Sequence, residues 1–460
     1  MFVVNPCVKP LLLAALLCSV AAAHVGSPDV FFQGKAGPYP LLVAIRPPDV
    51  IPGVARIEVR VLSPDAQEVD LTPTPMTGIA ATHPPVADIA QRSAADPQFF
   101  QGSLWLMSVG SWEVHIRVKG ADGTGELPVP VPAVALKMRP MGKGVSYFLF
   151  GMMVFLTVGL VAIVGAAVDS HRKGAMAIAS VVLVFALWRG SVWWGDDAAT
   201  YSRRLYKPLG ISALLNTPDH MELRITDPGW LQLRKLDDLV PDHGHLMHLF
   251  LVEWPAMDRV FHMHPDQTAP GYFATSLPTV PRGTYRIYGD IVHESGFAET
   301  AVGEVTLPDV AGKPVSGDDA AGPSLPSAGF DMVWVHDRTK PIIATRLNLF
   351  SFEIVGPDGR PVNDLEPYMG MGGHAEFIKE DGSVFAHVHP TGSVPMASVA
   401  VASQAAMMAM HETNPGPVVS FPYGVPTAGK YRVFVQMKRA GKVETGEFEF
   451  TTAQVTMAAK

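Results

Sequence analysis

DHGHLMHLFLVEWPAMDRVFHMHP, residues 242–265, holds five histidines: His243, His245, His248, His262 and His264. A second stretch, residues 368–390, reads YMGMGGHAEFIKEDGSVFAHVHP. Aligned on their HxHP ends with one inserted residue, His262 and His264 fall on His387 and His389. His248 falls on His374, and His243 and His245 fall on Met369 and Met371. H-x-H-x-x-H in the first copy is thus M-x-M-x-x-H in the second. Core packing gives no reason to exchange His for Met, since they differ in polarity and shape. Metal coordination does, because imidazole suits Cu, Zn, Fe and Ni and thioether sulfur selects soft Cu(I).

The repeat extends beyond these stretches. PRGTYRIYGDIVHESGFAETAVGEVTL (281–307) resembles TAGKYRVFVQMKRAGKVETGEFEFTT (427–452). Two tandem β-sandwiches are expected, at 208–308 and 330–455, joined by a Gly/Pro/Ala/Ser linker at 309–329.

On a strand, residues i and i+2 share a face, so each HxH pair projects side by side. Two metal sites follow, one per repeat. His243, His245, His248, His262 and His264 form a nitrogen-rich site suited to Cu(II), which Zn(II) would also accept. Met369, Met371, His374, His387 and His389 mix thioether with imidazole, which argues for copper and tolerates Cu(I). The competing reading of both methionines is gap-filling at a sheet edge. His293 is a further ligand candidate, but a strand histidine facing water is the preferred reading. Met396, Met407, Met408, Met410 and His411 lie in an Ala-rich insertion read as an apolar covering helix rather than a Cu(I) trap.

The remaining chain places these repeats. Of 460 residues, 17% are charged and 48% hydrophobic, and mean hydropathy is +0.20, too apolar for an ordinary soluble chain. A net charge of −8 without a basic run excludes nucleic acid as a partner. Both cysteines, Cys7 and Cys18, lie in residues 1–23, which read as a secretory signal peptide ending in AAA before His24. Leu17 is too large for a lipoprotein site at Cys18. The mature chain then lacks thiolates, so a metal must be held by His, Met, Asp or Glu. Residues 24–140 read as a third β-sandwich, with strands at 55–62 and 111–118 and a proline-rich edge strand at 127–138. Residues 145–168 and 174–195 read as transmembrane helices. Trp188, Trp193 and Trp194 form an interfacial belt, and Arg189 snorkels.

The fold expected is therefore mainly β: three periplasmic Ig-like or cupredoxin-like antiparallel β-sandwiches plus two transmembrane α-helices in a bacterial inner membrane. The signal peptide puts both the N- and C-terminal parts outside. The segments GKAGPYPLLVAIRPPDVIPG (34–53) and DPQFFQGSLWLM (96–107) resemble uncharacterised two-span bacterial membrane proteins with YtkA-like or FixH-like immunoglobulin-type domains. GHAEFIKEDGSVFAHVHPTG and SFPYGVPTAGKYRVFVQ resemble a related His-containing module. That resemblance implies fold and topology but carries no activity.

Copper handling (resistance, storage or delivery) is the leading expectation, with the bilayer, a metal ion, and a periplasmic metalloprotein or envelope complex as partners. Two sites of different softness would let an ion pass between domains. No nucleophile elbow, phosphate loop or HExxH occurs, so binding rather than catalysis is expected. One alternative is an Ig-like scaffold subunit without metal. Another is a copper redox enzyme in which His24, as mature N-terminus, chelates Cu(II) through its amine and ring, with His83 or His115 as third ligand.

Overall fold

A computed structural model describes residues 24–25, 29–230, 234–324, 329–337, 340–410 and 415–454. The expected signal peptide and His411 lie outside the described residues. The chain is mainly β, built of several largely antiparallel sheets and two long apolar helices.

In the first region, a five-stranded sheet (30–36, 39–46, 53–61, 99–106 and 91–92) faces a four-stranded one (123–133, 110–120, 66–75 and 88–89). Alternate residues of both, such as Val43, Ile57, Val59, Val114, Ile116 and Val129, fill one core. The strand carrying Pro128, Pro130 and Pro132 lies at the sheet edge, where a missing N–H breaks no ladder.

Two helices follow, α1 (Lys143–Ala167) and α2 (Arg172–Arg203). Both are long and apolar enough, by length and composition, to cross a membrane. Their apolar side chains point outward. Helix α2 continues past residue 195 through the DDAATYSRR segment. At ~1.5 Å per residue it reaches about 48 Å, more than the ~30 Å of a bilayer core. Its end is tied to the first region: the Tyr201 hydroxyl donates to Ile51 O (3.1 Å), and Tyr206 N donates to Ala135 O (2.8 Å).

Each repeat is built around four antiparallel strands in equivalent order. In the first these are β1 (His248–Trp254), β2 (Val260–Met263), β3 (Gly283–His293) and β4 (Ala298–Leu307), ordered β2-β1-β3-β4. In the second they are β5 (His374–Lys379), β6 (Val384–Val388), β7 (Gly429–Arg439) and β8 (Lys442–Ala453), ordered β6-β5-β7-β8. Ala320–Gly322, inside the stretch read as linker, adds a strand beside β2 with His262 opposite Ala320.

Both faces of these sheets are covered. Leu249 and Leu251 of β1 enter the first repeat's own core; Ala375 and Phe377 of β5 enter the second's. The opposite faces meet each other. Phe250, Val252, Val260 and Tyr288 of one repeat pack with Ile378, Phe385 and Phe434 of the other. Tyr288 and Phe385 stack at 4.0 Å with planes 6° apart. Burial on both sides explains why HLFLVEW is almost continuously apolar instead of alternating.

The insertion after β6 forms two short helices, α3 (Met396–Ala402) and α4 (Gln404–Met410). Met396 and Val399 are buried in the core of the first region, and Met407 and Met410 pack against it. The covering role holds, but the core covered belongs to another part of the chain.

Candidate metal centre

The HxH residues sit on the faces where the two repeats meet, so their histidines form one continuous group. This corrects the expectation of separate sites inside separate domains. His248 and His387, from different repeats, have ring centroids 5.4 Å apart; His262 and His387 lie 5.7 Å apart. Two triads stand out, each with one nitrogen per residue within 4.8 Å of the others: His248/His262/His264 and His243/His374/His389.

In the first triad, His248 Nδ1 lies 3.1 Å from His262 Nε2 and 3.3 Å from His264 Nε2. The far side of each ring fixes its proton. His248 Nε2 donates to the Asp242 carbonyl (3.2 Å), His262 Nδ1 to Gln436 Oε1 (2.8 Å) and His264 Nδ1 to Asp319 Oδ1 (2.9 Å). In neutral rings the three facing nitrogens then carry lone pairs only, and no hydrogen bond can join them. Outer partners that fix the tautomer are a regular feature of metal-bound histidine. A metal held at about 2.0–2.1 Å by imidazoles in tetrahedral geometry keeps their nitrogens roughly 3.3 Å apart.

The second triad draws on both repeats. His243 belongs to the first, while His374 and His389 belong to the second. Its ring centroid lies 5.2 Å from that of His374 and 5.1 Å from that of His389. His243 Nε2, His374 Nε2 and both nitrogens of His389 are buried without a hydrogen-bond partner. Buried polar atoms are rarely left so. His387 stands behind this triad, with Nε2 2.9 Å from His374 Nδ1 and Nδ1 3.4 Å from Asp290 Oδ2. When Asp290 accepts from His387, His374 donates to His387, and His374 Nε2 presents a bare lone pair.

A tight turn carries His243 across the interface. Asp242 and His245 pair by two backbone hydrogen bonds, and His243 (φ 51°) and Gly244 (φ 91°) both have positive φ. A two-residue turn of this kind needs positive φ at both centres, which favours glycine at one of them. Met369 (φ 50°) and Gly370 (φ 80°) repeat it between Tyr368 and Met371.

Burial holds these rings neutral. It pushes His248, His262, His374 and His389 well below the ordinary histidine range, and neighbouring imidazoles add to it. His387 is pushed down to about 3, again mainly by burial. Neutral imidazole is the metal-binding form.

Other expected ligands have different surroundings. His245 belongs to neither triad; it stacks on His264 at 3.9 Å, with Nε2 3.5 Å from Asp318. Met371 is buried in the first region's core. Met369 and Met371 line a cavity of about 300 Å3 together with His243, Met396 and Met407. His293 does not face water: it is 4% exposed, with Nδ1 2.7 Å from Asp238 and Nε2 3.2 Å from Glu299. Glu299 also accepts from Arg234 at 2.8 Å, so His293 joins a buried ion network. The backbone of His24 pairs beside Val384, while its side chain lies outside the described residues. His83 is exposed, and His115 holds Glu113 and Glu126 at 3.0 and 2.8 Å.

Sequence reasoning missed the outer partners. Asp290 and Gln436 occupy the same register position, opposite His248 and His374, yet each reaches the other repeat's HxH histidine. Glu376 is fully buried with neither oxygen partnered, and burial raises its carboxyl well above the usual range. Its alignment with Phe250 in an otherwise apolar strand was the available signal. Asp318 and Asp319 lay in the supposed linker.

Over residues 212–307 and 334–454 the chain is similar to a family described as a domain of unknown function (DUF8832). No curated protein matches it. Solved structures with similarity include dimeric latent PorU from Porphyromonas gingivalis, at 11% identity and TM-score 0.15, covering 88% of this chain and 32% of that one. Salmonella alpha-2-macroglobulin reacted with methylamine follows at 10% identity and TM-score 0.22, covering 94% and 24%. Escherichia coli alpha-2-macroglobulin activated by porcine elastase gives 10% identity and TM-score 0.18, covering 93% and 31%. The chain spans about a third or less of each of these.

Proposed function

We propose that this protein binds copper between its two repeats and handles the ion, for resistance, storage or delivery, at the outer face of a bacterial inner membrane. One observation carries the metal reading. His248 Nδ1, His262 Nε2 and His264 Nε2 converge at 3.1 and 3.3 Å while their protons are held on the far side of each ring. A single cation placed between them would satisfy all three lone pairs at once. Copper is favoured over zinc because methionine sulfurs share a cavity with His243, giving a soft approach to a nitrogen-rich centre.

The β regions are read as Ig-like sandwiches of the YtkA-like or FixH-like kind, supported in the first region and the second repeat by pairs of sheets that share one core. The contacts of Tyr201 and Tyr206 support a helical hairpin with both ends on the same side. With a signal peptide, that side is the periplasm.

Titration of the full chain in detergent with Cu(I), Cu(II) and Zn(II) against competing chelators tests this reading. Two copper equivalents are expected. His262→Ala with His264→Ala should remove one, and His243→Ala with His389→Ala the other. A folded chain that takes up none of the three ions overturns the proposal.

A further inference from the structure

The two equivalent turns, one between Asp242 and His245 and one between Tyr368 and Met371, meet at the cavity of about 300 Å3. His243 and Gly244 line it from the first turn, Met369 and Met371 from the second, and Met396 and Met407 from the helical insertion. Gap-filling accounts for a methionine that plugs a core. It does not account for Met369, which is half-buried at a φ of 50°. That left-handed conformation costs a residue other than glycine about 1 kcal/mol or more. Strain of this kind tends to persist at functional positions. His243, at φ 51°, holds the matching position in the first turn. Both turns therefore present a metal-ligating side chain from the strained residue.

Exposure falls along the cavity. Gly244 is exposed, Met369 and Met407 are half-buried, and Met371 and Met396 are 2% and 5% exposed. Thr391 Oγ1 donates to Met396 Sδ at 3.8 Å, which positions that side chain and leaves its sulfur a second lone pair. His243 stands at the inner end. It is half-buried where His374 and His389 are buried, and its unpartnered Nε2 is shut away from solvent. Thioethers near the opening are thus followed by buried imidazoles.

We propose that this cavity is the entry site for Cu(I). Its methionine sulfurs take the soft monovalent ion from solvent, hold it more loosely than the histidines do, and release it to the His243/His374/His389 triad as the His243 side chain moves. The inference rests on the copper reading above and adds the route of arrival and the oxidation state. No electron is transferred, since the ion enters and is bound as Cu(I).

The test uses the full chain in detergent, with Ag(I) as a soft monovalent stand-in beside Cu(I) and Cu(II). In protein labelled with 13C-methyl methionine, Ag(I) should shift the methyl signals of Met369, Met371, Met396 and Met407. Met369→Leu combined with Met407→Leu conserves volume and removes two sulfurs. Losing a ligand costs no less than losing an outer partner, so Cu(I) uptake from a chelate should slow about tenfold or more in stopped flow. The histidines are untouched, so Cu(II) uptake and the final copper content should match wild type. Unshifted methyl signals, or Cu(I) uptake at the wild-type rate in the double variant, overturns the entry site while the copper reading stands. A chain whose histidines take up no copper in either oxidation state overturns both. The wild-type methyl spectrum decides the site even where the double variant fails to fold.

Discussion

His262 Nδ1 donates to Gln436 Oε1 across the interface at 2.8 Å, although 174 residues separate them. The contact fixes which nitrogen of His262 faces His248. Replacing Gln436 by Leu removes the acceptor and frees the ring to change tautomer or turn. Copper affinity at the His248/His262/His264 triad should fall about 10- to 100-fold, the usual consequence of losing an outer partner. Competition titrations should show the other triad unchanged. An equal loss at both would mean that Gln436 acts through interface packing.

Phe385 stacks on Tyr288 at 4.0 Å and packs near Phe250 at 5.3 Å, all at the face between repeats. Phe385→Ala should cost about 3–5 kcal/mol in urea unfolding. It should also weaken both triads together, since His243 and Gln436 reach their targets only while the repeats stay in register. Full copper binding in a destabilised Phe385→Ala protein would contradict this coupling.

His293 supplies a pH prediction. Burial pushes its ring down, but the carboxylates of Glu299 and Asp238 outweigh that and its pKa is raised. The folded chain thus holds this proton more tightly than the unfolded one. The resulting stability is fully present below the unfolded value of about 6.5 and is lost as pH rises through the folded value. The melting-temperature gap between wild type and His293→Gln should therefore be largest near pH 6 and shrink toward pH 9. A gap that does not vary with pH would show that the network works by packing.

Gly392 fastens the first region to the second repeat. Gln33 N donates to Thr391 O at 2.7 Å and Ser393 N to Phe31 O at 2.9 Å. A Cβ on Gly392, whose φ is +121°, would lie 1.9 Å from Phe31 O. Gly392→Ala should break both bonds at about 2 kcal/mol or more, seen as faster hydrogen exchange at Gln33 and Ser393. Unchanged protection of those amides would show that the junction tolerates the methyl.

Much of this protein was legible in the order of its residues. Apolar runs of 18 or more residues can only be long buried or lipid-facing helices. Alternating runs between turn residues can only be strands with one face inward. The HxHP repeat placed two imidazoles on one strand face wherever the fold put that strand. These properties follow from local periodicity, which the sequence states directly.

The partners of those imidazoles were decided by tertiary structure. His243 completes a triad with His374 and His389, not with the histidines of its own repeat. Met371 belongs to a core more than 200 positions upstream in the chain. His264 depends on Asp319, from a stretch that read as a linker. All three follow from the packing of separately folded sheets. Such packing is set by the fit of whole surfaces, which no short pattern of residues records. The sequence determined which residues can ligate a metal; only the meeting of the repeats decided which of them do so together.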